Sequence, residues 1–269
     1  MAPRLPAGWG GGCTVRSMTD LSTCSGPPSI SVVTAALPAH AGKLVDAYAS
    51  LQVQPVSWEW LLQIDGPEPV DLPFVDVDSR VRVERNQRNR GPAVSRTLAA
   101  ARSRAPAVRV LDSDDMLTPG ALERDIGALF SHPGALWAVS RADDFDPATG
   151  EVTSVTGPAG GRIPRGSLVD AWLQDPTCPL VHPATLCVRT DALFAVGGWM
   201  ALPASEDTGL LLALNAASDG VLTDEVGMLY RKWGGQLTKA PEHEEGTERR
   251  LRHQAIRRRV TSLQRLWFP

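Results

Sequence analysis

Lysine is nearly missing from this chain: of its 27 basic residues only Lys43, Lys232 and Lys239 are lysines. Positive charge is not in excess either, since 30 acidic residues leave a formal net charge of -3. That balance excludes nucleic acid as an obligatory partner, because binding a phosphate backbone relies on a strong basic excess. Cysteine is sparse, and Cys13, Cys24, Cys178 and Cys187 lie too far apart for metal-ligand spacing, so free thiols in a cytoplasmic protein are expected. No secretory signal pattern is evident at the N-terminus. No apolar run approaches the ~18 residues that span a bilayer. Any membrane association is therefore expected to be peripheral, at the inner face. Finally, Thr34-Ala35-Ala36-Leu37-Pro38, which follows the first apolar run, lacks two loops. It has neither the G-x-G-x-x-G turn of dinucleotide-binding folds nor the Gly-rich, Arg/Lys-containing phosphate loop of nucleotidyl transfer.

What is present is an alternation of strands and helices. Ile30–Ala35 reads as a buried strand, followed by apolar positions Leu44, Ala47, Tyr48 and Leu51 at helical spacing. Trp58–Ile64 and Val81–Arg85 read as further strands, and Pro92–Ser103 as an Ala-rich helix leading into the strand that ends at Leu111. Such alternation predicts one α/β domain with a mainly parallel, Rossmann-like sheet whose ligands lie beyond the strands' carboxyl ends. Thr34, Asp65, Asn86 and Asp112 all fall at such ends. Leu136–Ser140 is a further expected strand, with Asp143, Asp144 and Asp146 in the loop after it.

The sharpest feature is Leu111-Asp112-Ser113-Asp114-Asp115, three carboxylates within four residues after an apolar strand. Hard divalent ions are held by one or two carboxylates together with substrate phosphates, so this D-x-D suits Mg2+ or Mn2+. The plainer alternative is a solvated Asp-rich turn before a helix capped by Thr118, with Pro119 in its first turn.

Taken in order, several motifs resemble the inverting family 2 glycosyltransferases of GT-A fold. They are Ile30–Ala36, the Asp65-Gly66 strand end, Asn89-Arg90-Gly91-Pro92 with Arg96, the D-x-D, Gly197-Gly198-Trp199 and Glu206-Asp207. The resemblance covers about residues 28–240. It implies a GT-A domain there, with a nucleotide-binding part over 28–118 and an acceptor-binding part over 119–240, after a flexible tail over 1–27. It implies that Thr34, Ala35, Asp65, Arg96, Asp112 and Ser113 bind the nucleotide, with Asp114 the direct metal ligand and Asp112 sharing the ion. Asp207 would be the base that takes the acceptor's hydroxyl proton, Glu206 would orient it, and Gly197, Gly198, Trp199 and His182 would meet sugar or acceptor. The implied donor is a nucleotide sugar of UDP or dTDP type, and the acceptor a hydroxyl on a small molecule, a glycan or a lipid-linked saccharide.

Plainer roles stand beside these: a turn former for Asp65, a solvated helix arginine for Arg96, core residues for Trp199 and His182. The chain also departs from the family's pattern. The double acid at the second strand end is reduced to Gln63-Ile64-Asp65, and Trp233 stands where a late histidine often lies near the metal, with Arg231 or Lys232 available to neutralise phosphate. These departures keep open a second reading, a non-catalytic accessory protein that binds sugar nucleotides. Glu248–Trp267, within the terminal stretch 241–269, reads as a basic amphipathic helix. It either packs on the core or a partner subunit, as in a homo-oligomer, or meets anionic lipid or an acidic acceptor.

Overall fold

The computed structural model describes residues 26–177, 180–234, 236 and 246–267. Most of the expected flexible tail, together with Cys13, Cys24 and Cys178, lies outside them. The first apolar run forms strand β1 (Ile30–Ala36), followed by helix α1 (Leu44–Gln52), β2 (Trp58–Ile64), β3 (Val81–Arg85), α2 (Pro92–Ala100) and β4 (Ala107–Val110). A short β5 (Met116–Leu117) precedes α3 (Ala121–Ser131), β6 (Ala135–Asp146), β7 (Glu151–Thr153), β8 (Gly161–Ile163) and α4 (Ser167–Gln174). The chain continues through β9 (Cys187–Arg189), α5 (Thr190–Ala195), α6 (Glu206–Ala217) and β10 (Asp219–Arg231) to the C-terminal α7 (Thr247–Trp267).

All these strands join one sheet, in the order β3-β2-β1-β4-β9-β6-β10-β5, with β7 paired to β6 and β8 to β10. The pairs β1–β2, β2–β3, β1–β4 and β6–β10 are parallel, while β9 runs antiparallel to both its neighbours. The expected α/β architecture with a mainly parallel central sheet is therefore what forms. From β1 the chain builds outward to β2 and β3, then returns to lay β4 on the other side of β1. That reversal opens a crevice beyond the carboxyl ends of β1 and β4, the usual ligand position in an open parallel sheet. β2 is buried along its whole length, as expected for a strand covered on both faces.

Two local expectations fail, each for a physical reason. Thr118 does not cap α3: its hydroxyl donates to the Val226 carbonyl of β10, because Met116–Leu117 pairs with β10 and holds the segment extended until Gly120. Asp143, Asp144 and Asp146 are not in a loop, since β6 runs on to Asp146 and is paired there by β7 and β10. The Gly- and Pro-rich stretch after Gly150 contains β8 and α4, the latter anchored by Asn215, whose side-chain oxygen accepts the Leu168 N–H.

Two buried features hold the sheet in register. Arg109 in β4 is wholly buried; it donates to Asp125 of α3 at 2.7 Å and to the Ala184 carbonyl at 2.9 Å. Gly220 in β10 lies under the Trp137 ring of β6, where a Cβ would stand 2.2 Å from the indole. Gly220→Ala is expected to lower stability by about 1 to 3 kcal/mol, the usual cost of overpacking; a urea midpoint equal to wild type would show that Trp137 moves freely. Cys187 is buried and free, and burial pushes its thiol upward, so it is an unreactive core residue.

Candidate functional site

The crevice at the reversal point is a cleft of about 510 Å³. Its floor comes from the end of β1 (Ala35, Ala36), one wall from Asn89, Arg90 and Gly91, and its far rim from Ser113 and Ala201–Pro203. Ala35, Asp65 and Ser113 thus line it as expected. Thr34 does not, because strand alternation turns it inward. It is fully buried, its hydroxyl donates to the Leu111 carbonyl at 2.6 Å, and it accepts the Trp60 indole N–H at 2.8 Å. It ties β1 to β4 and is not a nucleoside contact.

Asp65 borders the cleft, but its oxygens are already engaged. They accept the Arg90 N–H at 2.7 Å, the Gly91 N–H at 2.8 Å and the Asn86 amide at 2.8 Å. The carboxylate therefore clamps the 89–91 loop against β2, close to the turn-former role, while it borders the cleft.

Beyond the cleft stands a concentration of acids around one cation. Arg96 of α2 is buried and donates to Asp112 at 2.5 Å and to Glu206 at 2.7 Å. Burial alone would lower its affinity for a proton, but Asp112, Glu206 and Asp207 together push it upward. It is neither a solvated helix arginine nor turned toward the cleft. It bolts the D-x-D to the start of α6, residues 94 positions apart in sequence.

The acids outnumber their partners. Burial raises Asp114, the Trp233 hydrogen bond opposes this, and the Asp112 charge adds to the rise. Asp115 is wholly buried, accepts the Arg231 N–H at 2.9 Å, leaves its other oxygen without a partner, and is held well above the carboxylate range by burial and by Asp112 and Asp114. Glu206 is raised by burial and then by Asp207.

Asp207 is half-buried in the first turn of α6, its carboxylate accepting the Thr208 N–H at 2.6 Å. The residue before this turn, Ser205, has φ +63° and is the sole non-glycine with positive φ among the described residues. Such a conformation costs roughly 1 kcal/mol or more and clusters at working sites. It aims the α6 N-terminus, with Glu206 and Asp207, at the D-x-D.

His182 tilts on Tyr230 with ring centroids 4.8 Å apart. Burial lowers its proton affinity, while Asp207 and Asp112 act on it in the opposite sense, which places it among the same acids. Its Nδ1 is buried without a partner.

Gly197, Gly198 and Trp199 are not brought to the cleft. Both glycines have positive φ and terminate α5, the Gly198 N–H reaching back to the Leu193 carbonyl at 2.9 Å, a glycine-ended helix cap. Trp199 is 6 % exposed within the main core. None of the three borders the cleft. The residues that do so nearby, Ala201–Pro203, carry no chemical signal that sequence could have flagged.

Beside Asp114 stands Trp233, at the position of the family's late histidine, together with Lys43 and His40, which the sequence did not flag. The Trp233 indole N–H donates to Asp114 at 2.6 Å, Lys43 lies 3.6 Å over the Trp233 ring, and His40, which also lines the cleft, meets that ring edge-on at 5.2 Å. Arg231 and Lys232, the residues expected to be available for phosphate, both have acidic partners. Arg231 is spent on Asp46 at 2.5 Å and the Asp114 carbonyl at 2.7 Å, and Lys232 on Asp144 at 3.2 Å. Among the described residues no cluster of three or more His, Cys, Asp or Glu side chains is arranged to hold a metal ion. A cation at Asp112 and Asp114 would complete its shell with donor phosphates, as Mg2+ commonly does.

Comparison with known proteins gives this geometry a context. The model of the family described as Glycosyl transferase family 2 matches residues 69–164, which include the D-x-D. The succinoglycan biosynthesis protein ExoU of Rhizobium meliloti is 30 % identical over 162 residues, 53 % of this chain and 46 % of that protein. The chain thus spans about half the length of this curated relative. Crystal structures of S. aureus TarS (residues 1-349) share the fold at 15 % identity. The complex with UDP-GlcNAc superposes with a TM-score of 0.62 over 79 % of this chain and 61 % of that one. The complex with UDP gives 0.63 over 87 % and 65 %. With the motif order, the sheet and these matches in agreement, the chain adopts the GT-A fold, and its residues 69–164 are similar to glycosyl transferase family 2.

Proposed function

We propose that this protein transfers a sugar from a UDP- or dTDP-sugar to a hydroxyl acceptor with inversion, assisted by Mg2+ or Mn2+. The observation that carries the reading is the Arg96 bridge, which brings Asp112 of the D-x-D within one guanidinium of Glu206. Asp207, the neighbour of Glu206, then stands beside the place where donor phosphates would lie. Inverting transfer needs that arrangement, with a base on the acceptor side of the anomeric carbon and charge neutralisation on the leaving-group side. The names of the similar proteins, a succinoglycan biosynthesis protein and an enzyme crystallised with UDP-GlcNAc, support a nucleotide-sugar donor.

The acids fit a divalent cation. Burial, and then the charge of neighbouring acids, raises Asp114, Asp115 and Glu206, and Asp112 and Asp114 each give one oxygen to a protein donor, Arg96 or Trp233. The second oxygen of each stands outside those bonds. These two residues would hold the ion, which when bound would supply Lewis-acid neutralisation of the departing diphosphate. The protein's own part is to fix that pair: Arg96 orients Asp112, Trp233 orients Asp114, and hydrogen-bonded outer partners of this kind tune a ligating carboxylate. His182 is close enough to the acids to contact the acceptor, and Asp207 accepts the proton.

Calorimetry tests the donor side. UDP is expected to bind more tightly with Mn2+ than with chelator, and Asp114→Asn to abolish the difference, since an amide is a weaker ligand for a hard cation. Equal affinities for wild type and variant under both conditions would leave the D-x-D a structural turn. The accessory-protein reading predicts the same binding without donor hydrolysis or transfer.

A further inference from the structure

The C-terminal helix sorts its arginines into two sets. On its inner side Ile256 and Val260 are wholly buried and Arg252 nearly so. Arg259 turns in as well, donating to the Gly198 carbonyl at 2.9 Å and to the Val196 carbonyl, so that it caps the end of α5. Helix packing on the core, the plainer of the two readings of this segment, accounts for that side.

Arg250, Arg257, Arg258 and Arg265 point the other way and are exposed. Among the described residues none of the four has an ion-pair partner. At 100° per residue they fall within one sector of the helix with Gln254 and Thr261. Leu251, 56 % exposed, borders this sector, and Leu266, 77 % exposed, follows Arg265 near the helix end, roughly 80° beyond the sector. From Arg249 to Trp267 the sequence contains no acidic residue. Glu248, the one acid of the helix, lies toward Arg252, 3.8 Å away. A protein of net charge -3 thus carries a local cationic strip roughly 22 Å long.

We propose that this outer face of α7 docks on an anionic lipid bilayer. Three features favour lipid over an acidic protein. The strip is straight and needs only charge, with no pocket or ridge to match. Its guanidinia sit on long apolar stems beside exposed leucines, the mixture that rests at a headgroup boundary. The buried apolar side of α7 is already taken by the core, so the helix lies along the surface and does not insert. Docking also has a geometric consequence that rests on the proposed transfer reaction. Ile256 packs on Gly209, where a Cβ would stand 3.3 Å from it, and Gly209 is two residues beyond Asp207 in the first turn of α6. A docked α7 would hold the candidate base about one helix diameter from the lipid, ~10 Å, where a lipid-linked hydroxyl acceptor would present itself.

Co-sedimentation of the full chain with vesicles tests this without any sugar transfer. Vesicles of phosphatidylcholine with about 30 % phosphatidylglycerol are expected to bind the protein at low salt, and pure phosphatidylcholine not to. Arg257→Glu with Arg258→Glu is expected to weaken partitioning at least ~30-fold, while Arg85→Glu with Arg88→Glu, an equal charge change on exposed residues elsewhere, leaves it near wild type. If the first pair lowers the melting temperature, Arg250→Gln with Arg265→Gln gives the same readout without charge reversal. No preference of wild type for anionic vesicles, or equal binding by the α7 variants, overturns the proposal. So does a salt-sensitive dimer lost in those variants without vesicle binding, which would assign the face to a second copy. Vesicle binding by a protein that fails to bind UDP would leave the docking face intact and remove only the transfer reading.

Discussion

Asp207→Asn is expected to reduce sugar transfer by roughly 10²- to 10⁴-fold while leaving UDP and Mn2+ affinities near wild type. The asymmetry follows from place. Asp207 lies in the first turn of α6, on the proposed acceptor side of the acid cluster, and its contacts run to Thr208 within its own turn, so no bond to the cleft wall is lost. Asn caps a helix about as well as Asp, which keeps the fold out of the comparison. Transfer measured at saturating donor separates the outcomes. Near-normal turnover by a well-folded variant would move the base to Glu206 or His182, the other proton acceptors among these acids.

Arg96→Met should be the most damaging change to stability in the site, costing about 3 kcal/mol, because it leaves buried Glu206 and half-buried Asp112 without their shared cation. The loss should also depend on pH. Glu206, Asp114 and Asp115 have folded pKa values above their ordinary ones. The folded state therefore binds more protons than the unfolded chain, and stability falls as pH rises from the ordinary carboxylate range toward the raised folded values. Removing Arg96 raises Glu206 further and steepens that fall. The variant should therefore melt well below wild type at neutral pH and recover part of the gap near pH ~5. A deficit that is the same at both pH values would mean that Arg96 stabilises by packing alone.

The first strands and their mainly parallel sheet were legible in the sequence because a sheet buried on both faces needs continuous apolar runs, whereas the short or irregular β5 and β7–β10 were not. The ends of those runs located the cleft. What could not be read was which way a side chain turns at a strand end. Thr34 and Ala35 are adjacent, yet alternation buries one and opens the other. The glycine pair 197–198 was legible as a special backbone but not as the end of α5, since α5 is too short to leave a helical period. Long-range bonds such as Arg96 to Glu206 leave no local pattern. Asp65 shows the limit most plainly: a carboxylate at a strand end suits a ligand or a loop clamp equally, and the bonds from the Arg90 and Gly91 N–H groups that reveal the clamp leave no local pattern.

The indole of Trp233 has one more use. It is bonded to Asp114 and crowded by Lys43 and His40, so its ultraviolet emission depends on what that carboxylate is doing. Of the chain's eight tryptophans, Trp58, Trp60 and Trp137 are sealed in the core, where emission is insensitive to solutes. An ion or a diphosphate arriving at Asp114 would disturb Trp233 at once, and the site would then announce its own occupancy in light, without a label.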